Sequence, residues 1–153
     1  MIKLFAAADK PILGICHGHQ LIALAWGAKC RKTAIPEFSW RHFSIQPNQL
    51  YQVLENPIFL ESHYDEVYDL TEDFMVLASS PECAVQAFQI KQKPIWGVQF
   101  HPEVGFSSGN KMIADHLAKN QQDKQFYRND LQKPEELLQN SKIFTNFLKL
   151  SHL

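Results

Sequence analysis

Cys16 is the residue of this chain whose setting most clearly suits it for chemistry. It stands two residues after Gly14 and two before Gly18, between two apolar runs. The first run, Ile12–Ile15, predicts a short buried strand because it follows a proline and carries branched side chains. The second, residues 21–26, predicts a helix that ends at the next glycine. Together they predict a nucleophile elbow, a sharp strand-to-helix turn that exposes one reactive side chain at the carboxyl end of a strand.

A cysteine gains more than other nucleophiles from such a turn. The N-terminus of a helix lowers the pKa of a nearby thiol, and its free N–H groups can bind a developing anion. Since the thiolate is the attacking species, both effects favour nucleophilic catalysis. Gly14 and Gly18 are expected to be required because a side chain at either position would clash with the turn. The alternative interpretation of Cys16 is a buried structural cysteine near a helix start.

A histidine follows the strand predicted over residues 94–100. His101 lies at the carboxyl end of that strand, where parallel-sheet enzymes place catalytic groups, and Glu103 follows two residues later. A cysteine nucleophile needs a base, and the base needs a group that holds its tautomer. His101 and Glu103 could fill these two roles. In the alternative interpretation the segment only ends a strand, with a solvated glutamate.

The two motifs together, residues 14–20 and residues 97–103, resemble those of the class I (triad-type) glutamine amidotransferases. The resemblance extends from Pro11 to Glu103, and residues 146–148 are similar to the closing helix of that family. It implies an α/β fold, a three-layer, flavodoxin-like, mostly parallel sheet with flanking helices. The family also has N-terminal strands and a glycine-rich oxyanion loop that this sequence does not contain. We therefore expect residues 1–153 to form a single, incomplete domain whose elbow strand leaves an apolar edge exposed.

The resemblance implies a role for each residue that matches the family motifs. Cys16 would attack the side-chain amide of glutamine, giving a γ-glutamyl thioester and ammonia. His101 would move the proton, with Glu103 orienting its ring. The backbone N–H of His17 would stabilise the oxyanion. Three further positions would bind the substrate: Gln20, His63 and Tyr64. Tyr64 departs from the family, which has glycine in that turn.

Composition excludes several other classes of protein. The 153 residues suffice for one domain, and a net charge of −1 offers nothing to attract nucleic acid or an anionic membrane. No apolar run approaches the ~20 residues of a membrane span. Three cysteines without paired spacing argue against a disulfide framework and favour a reducing, cytoplasmic setting.

The sequence predicts no metal site and no cofactor. His17 and His19 could be combined with Cys16 and with Cys30 or His42, but Cys-His-x-His is not a zinc spacing. The chain also lacks the glycine-rich phosphate loop of ATP-binding enzymes. Any synthetase activity is therefore expected on another chain.

Three functions remain open at this point. The first is glutamine hydrolysis, with the ammonia passed to a separate synthase subunit or released. The second is a non-catalytic, amidotransferase-like binding module, which the absent N-terminal part favours. The third keeps the triad but acts on another γ-glutamyl compound. The exposed strand edge also favours association of the chain into a homo-oligomer.

The remaining elements are predicted from local patterns. A helix is expected over residues 2–8 and a polar turn over residues 61–67. Strands are expected over residues 28–33, 40–46, 74–79 and 84–90, with a turn at Pro36. Helices are expected over residues 111–120 and 134–150, joined by a polar loop.

Overall fold

The computed structural model describes residues 2–3 and 10–151. Residues 2 and 3 are helical, and the rest of the helix predicted over residues 2–8 lies outside the described residues. The strands are β1 Ile12–Ile15, β2 Lys29–His42, β3 Ser44–Ile45, β4 Ile58–Tyr68, β5 Phe74–Ser79, β6 Ala87–Ile90 and β7 Ile95–Val98. The helices are α1 His17–Ala25, α2 Phe106–Lys119 and α3 Lys142–Ser151, with 3₁₀ turns at Gln121–Phe126 and Pro134–Leu137.

The central sheet has five strands in the order β1-β7-β6-β5-β3. Strands β1 and β7 are parallel, whereas the other three neighbouring pairs are antiparallel. The short connection between β6 and β7 permits only an antiparallel pair, because a parallel pair needs a crossover of a dozen or more residues. The predicted α/β class is confirmed, with a mixed sheet. Within the described residues the parallel arrangement is limited to β1 and β7.

Both faces of this sheet are covered, which gives the three expected layers. On one face Ile22 of α1 packs with Phe88 and Ile95. On the other face Ile143 of α3 packs with Trp96, which neighbours Ile95 along β7. Neighbouring residues of a strand point to opposite faces, so the near-continuous apolar pattern of β7 follows from its burial on both sides.

A long two-stranded ribbon of β2 and β4 stands beside the central sheet. The predicted turn over residues 61–67 is wrong, because these residues lie inside β4. The predicted break at Pro36 is also wrong: β2 runs through it, with a register shift between Lys32 and Glu37. A bulge accommodates a proline, which cannot donate to the ladder. The ribbon joins the sheet where the His101 N–H donates to the Leu60 carbonyl at 2.9 Å.

The other differences from the predicted elements are small. Helix α2 begins five residues earlier than predicted, at Phe106, and the polar loop after it contains a 3₁₀ turn. In the described part of the chain, no helix has both the length and the apolar content needed to cross a bilayer.

Candidate active site

The elbow at Cys16 has the strained geometry that the sequence predicts. Cys16 has φ 49° and ψ −103°, and it is the residue immediately before α1. Its N–H donates to the carbonyl of Val98 at 2.8 Å, and Ile15 is in parallel register with Val98. Because β1 and β7 are parallel neighbours, Cys16 and His101 emerge at the same end of the sheet.

The two glycines of the elbow play different parts. A Cβ on Gly14 would lie 2.6 Å from the backbone of Gly18 and 2.6 Å from Cδ1 of Ile22. A Cβ on Gly18 would meet nothing within 4 Å. The predicted clash is therefore correct for Gly14 and wrong for Gly18, because position 18 lies on the open side of the first turn of α1.

We expect Gly14→Ala to destabilise the protein and Gly18→Ala to leave it as stable or slightly more so. The first change forces backbone and helix apart and should lower the free energy of unfolding by about 1–3 kcal/mol. The second removes a flexible glycine from a helix, worth up to about 1 kcal/mol in the opposite direction. Urea unfolding of the two variants measures the contrast. Equal losses would show that close packing does not explain the glycine at position 14.

His101 and Glu103 form a hydrogen-bonded pair next to the sulfur. Nδ1 of His101 lies 2.6 Å from Oε1 of Glu103. Burial lowers the pKa of His101, but hydrogen bonds to Cys16 and Glu103, together with their negative charge, raise it to about 10. Burial also raises the pKa of Glu103, and the hydrogen bond and charge of His101 bring it below the ordinary value. This arrangement favours an imidazolium between thiolate and carboxylate.

Two buried amides complete the surroundings of the sulfur. The Gln99 side chain donates from Nε2 to Cys16 Sγ at 3.6 Å. The Gln20 side chain donates from Nε2 to Gln99 Oε1 at 3.2 Å and to the carbonyl of Asp65 at 3.3 Å. On the ribbon side, the carbonyl of Ser62 lies 4.0 Å from the sulfur.

The helix α1 begins directly at the elbow and offers free donors there. The N–H of Gln20 donates to the carbonyl of Cys16 at 3.2 Å. Because the first N–H groups of a helix have no partner one turn earlier, the N–H of His17 remains outside the helical ladder. The position suits an oxyanion donor. The side chain of His17 is directed to Gln20, with Nδ1 3.4 Å from its Oε1.

The side chains of His63 and Tyr64 point away from the sulfur. His63 is buried, and its Nδ1 lies 3.0 Å from the carbonyl of Asp65. The Tyr64 hydroxyl donates to Asp123, and its ring packs edge-on against Phe38. It is thus the backbone of this part of β4, rather than these two side chains, that faces Cys16.

Three buried ionisable groups lie together behind this backbone. Nε2 of His63 is 2.9 Å from Glu61 Oε2 and 3.2 Å from Glu37 Oε2. Burial lowers the pKa of His63, but the two carboxylates raise it to about 10. Burial raises the pKa of Glu61 to about 7 against the opposing effect of His63. These distances reflect charge pairing, since Nε2 shares one proton between two carboxylates and meets hydrogen-bond geometry with neither.

One atom from each of Glu37, Glu61 and His63 lies within 4.8 Å of the others, a grouping that could hold a metal ion. The residues considered for metal binding from the sequence, Cys16, His17, His19, Cys30 and His42, form no such grouping within the described ranges. The Glu37 carboxylate is already occupied, because it accepts from Gln86 Nε2 at 2.9 Å. With His63 protonated, the cluster is an internal ion pair.

We expect His63 to make the stability of the protein depend on pH. Because its folded pKa of about 10 lies above the ordinary 6.5, its contribution is complete below pH 6.5 and is lost as the pH rises through about 10. His63→Gln should lower the free energy of unfolding by about 3–5 kcal/mol at neutral pH, because two buried carboxylates lose their cation. Urea titrations at several pH values should show this difference shrinking toward alkaline pH.

His42→Gln is the matched control. His42 is a half-buried histidine of β2, with Nδ1 3.3 Å from the Pro57 carbonyl. It should change stability by about 0.5 kcal/mol or less. A loss in His63→Gln that is the same at every pH would contradict the charge-pairing explanation.

Two features of the site were missed by reasoning from the sequence. The contact of Gln99 with the sulfur could have been found, because side chains alternate along a strand and Gln99 shares a face with His101. The cluster of Glu37, Glu61 and His63 could not, because its register depends on the bulge in β2.

Comparison with known proteins gives consistent matches. The family model described as Glutamine amidotransferase class-I matches residues 1–138. A subunit of the glutamine-hydrolyzing GMP synthase of Thermoplasma volcanium is 44% identical over 120 residues, which is 76% of this chain and 59% of that protein. The chain thus spans about three fifths of the length of this relative.

Solved structures match over nearly the whole chain. A crystal structure of a Thermoplasma acidophilum protein superposes with a TM-score of 0.73 at 32% identity, covering 98% of this chain and 61% of that one. A glutamine amidotransferase from Thermotoga maritima superposes with a TM-score of 0.75 at 21% identity, covering 99% of this chain and 67% of that one. The second likeness shows the fold alone.

Proposed function

Because the chain belongs to the class-I glutamine amidotransferase family, we propose that it hydrolyses the side-chain amide of glutamine. The observation that carries this proposal is the contact of three groups at one end of parallel strands. The sulfur of Cys16 meets the imidazole of His101, and the imidazole meets the carboxylate of Glu103. Nucleophile, base and orienting group are thus in the order that thiol-dependent amide hydrolysis requires.

The proposed reaction has two stages. His101 takes the thiol proton, and the Cys16 thiolate forms a bond to the amide carbon of glutamine. The oxyanion that results is stabilised by the N–H of His17. The C–N bond then breaks, the imidazolium of His101 gives its proton to the leaving nitrogen, and ammonia departs. Water, deprotonated by His101, hydrolyses the γ-glutamyl thioester to glutamate and restores the thiol.

We place the amino-acid part of the substrate between Gln20 and the backbone of β4. Gln20 and the carbonyl of Ser62 line the approach to the sulfur. His63 and Tyr64 take part through their backbone, since their side chains are held by Glu61 and Asp123. A binding role in this form is compatible with tyrosine where the family has glycine.

The proposed fate of the ammonia is transfer to a separate synthase subunit. The support is the name of the relative described above, which is one subunit of a glutamine-hydrolyzing GMP synthase. We also place the protein in the cytoplasm, because Cys16, Cys30 and Cys83 are all free thiols, which suits a reducing compartment.

Ammonia release and thiol protection test the proposal together. The purified chain should release ammonia from glutamine, and glutamine should slow the alkylation of Cys16 by iodoacetamide while leaving Cys30 unaffected. Release from a γ-glutamyl amine but not from glutamine would favour the other substrate class. No release and no protection would favour a non-catalytic binding module.

A further inference from the structure

Gln99 is a buried amide that touches the reacting sulfur and has no part in the triad. Its side chain has no exposed surface. It reaches the sulfur because it directly follows β7 and stands two residues before His101, on the same face of the chain. Its backbone is held in place by the N–H, which donates to the carbonyl of Gln86 at 2.8 Å.

The direction of the Gln99 amide is determined by its partners. A backbone carbonyl can only accept, so the carbonyl of Asp65 requires the NH₂ group of Gln20. The same NH₂ group, with its second hydrogen, donates to Oε1 of Gln99. The Oε1 of Gln99 therefore faces Gln20, and its Nε2 must face Cys16 Sγ, 3.6 Å away. A carbonyl of the ribbon thus sets the polarity of the whole chain of hydrogen bonds.

We propose that Gln99 holds the Cys16 sulfur as a thiolate aimed at the substrate, by presenting to it an N–H that the Asp65–Gln20–Gln99 chain keeps in one orientation. A fixed donor stabilises the charged form of an acceptor over its neutral form. In a buried setting the donor does so without having to reorient. Gln99 is a positioning residue in this role, and His101 remains the group that exchanges the proton. The inference rests on the proposed function, because it adds a residue to the same site.

The rate of Cys16 alkylation by iodoacetamide, followed across a wide pH range, tests this inference without glutamine. Peptide mass spectrometry separates Cys16 from Cys30 and Cys83. Gln99→Met keeps the length of the side chain and removes the donor, and it should move the midpoint of the profile to higher pH by about one unit. Gln99→Glu keeps the shape and places a carboxylate at the sulfur, so it should move the midpoint further in the same direction.

Gln89→Met is the matched control. Gln89 is a glutamine of the neighbouring strand β6 whose Nε2 donates to the Lys93 carbonyl at 3.1 Å, away from the sulfur. Its profile should overlap that of the unmodified chain. Circular dichroism reports folding, and if Gln99→Met does not fold, the isosteric Gln99→Glu decides the question.

Profiles of both Gln99 variants that coincide with the unmodified chain would overturn the inference, even in an enzyme that releases ammonia. A shift in the Gln99 variants alone would support it, even if the chain releases none. The result for Gln99 is thereby separate from the result for the proposed function.

Discussion

Replacing Cys16 with alanine is expected to lower the rate of ammonia release from glutamine by at least about 10⁴-fold, since removal of a nucleophile eliminates the covalent route and leaves only binding and oxyanion stabilisation. The residual rate should be close to that of the solvent reaction. Steady-state ammonia release, measured at saturating glutamine, gives the loss in kcat. Stability should change little, because the thiol is half-buried and its contacts are long.

Cys30→Ala is the control for this experiment. Cys30 is a half-buried free thiol of β2, in register with Val67 on the ribbon, and belongs to no hydrogen-bonded group with Cys16. The Cys30→Ala variant should retain its activity within about twofold, as expected of a substitution away from the chemistry. If Cys16→Ala kept substantial activity, the nucleophile would have to be sought elsewhere.

Replacing His101 with glutamine is expected to have the second-largest effect, a loss of about 10²–10⁴-fold in kcat. Glutamine keeps a hydrogen-bonding side chain near Cys16 and Glu103 but cannot take and return a proton. Because the raised pKa of His101 arises from its contacts with Cys16 and Glu103, the same variant should also make Cys16 alkylation slower at neutral pH. Stopped-time assays of ammonia and of alkylation measure the two losses.

His42→Gln again serves as the control, since His42 binds the Pro57 carbonyl at the far end of the ribbon. It should leave both rates unchanged. A fall in alkylation without a fall in ammonia release would mean that His101 is not the general base. Equal falls in His42→Gln and His101→Gln would point to a general loss of structure.

The strand, elbow and helix around Cys16 could be predicted because their causes are local. A branched apolar run, a glycine at position 14 and an apolar helix determine the turn within a few residues of one another. The pairing of Cys16 with His101 also follows from local information, since each residue ends a recognisable strand. Burial on both faces then makes β1 and β7 neighbours, as their parallel register confirms.

The ribbon could not be predicted to the same extent because its causes are distant. Polar residues 61–67 satisfy the pattern of a turn, yet their backbone groups pair with β2, more than twenty residues away in the sequence. Pro36 also satisfies a turn pattern, but the bulge in β2 absorbs its missing N–H. The environment of His63 depends on that bulge, so its charge pairing could be recognised only from the folded arrangement.

The covalent intermediate is the most direct test of the chemistry assigned to the elbow. Acid quenching of the chain during turnover of glutamine, followed by peptide mass spectrometry, should find a γ-glutamyl group on Cys16. The adduct should be absent from Cys30 and Cys83, and it should disappear when hydroxylamine cleaves the thioester. Turnover of glutamine with no adduct on Cys16 under conditions where hydrolysis of the thioester is slowed, or an adduct on another residue, would contradict the role of Cys16 as the nucleophile.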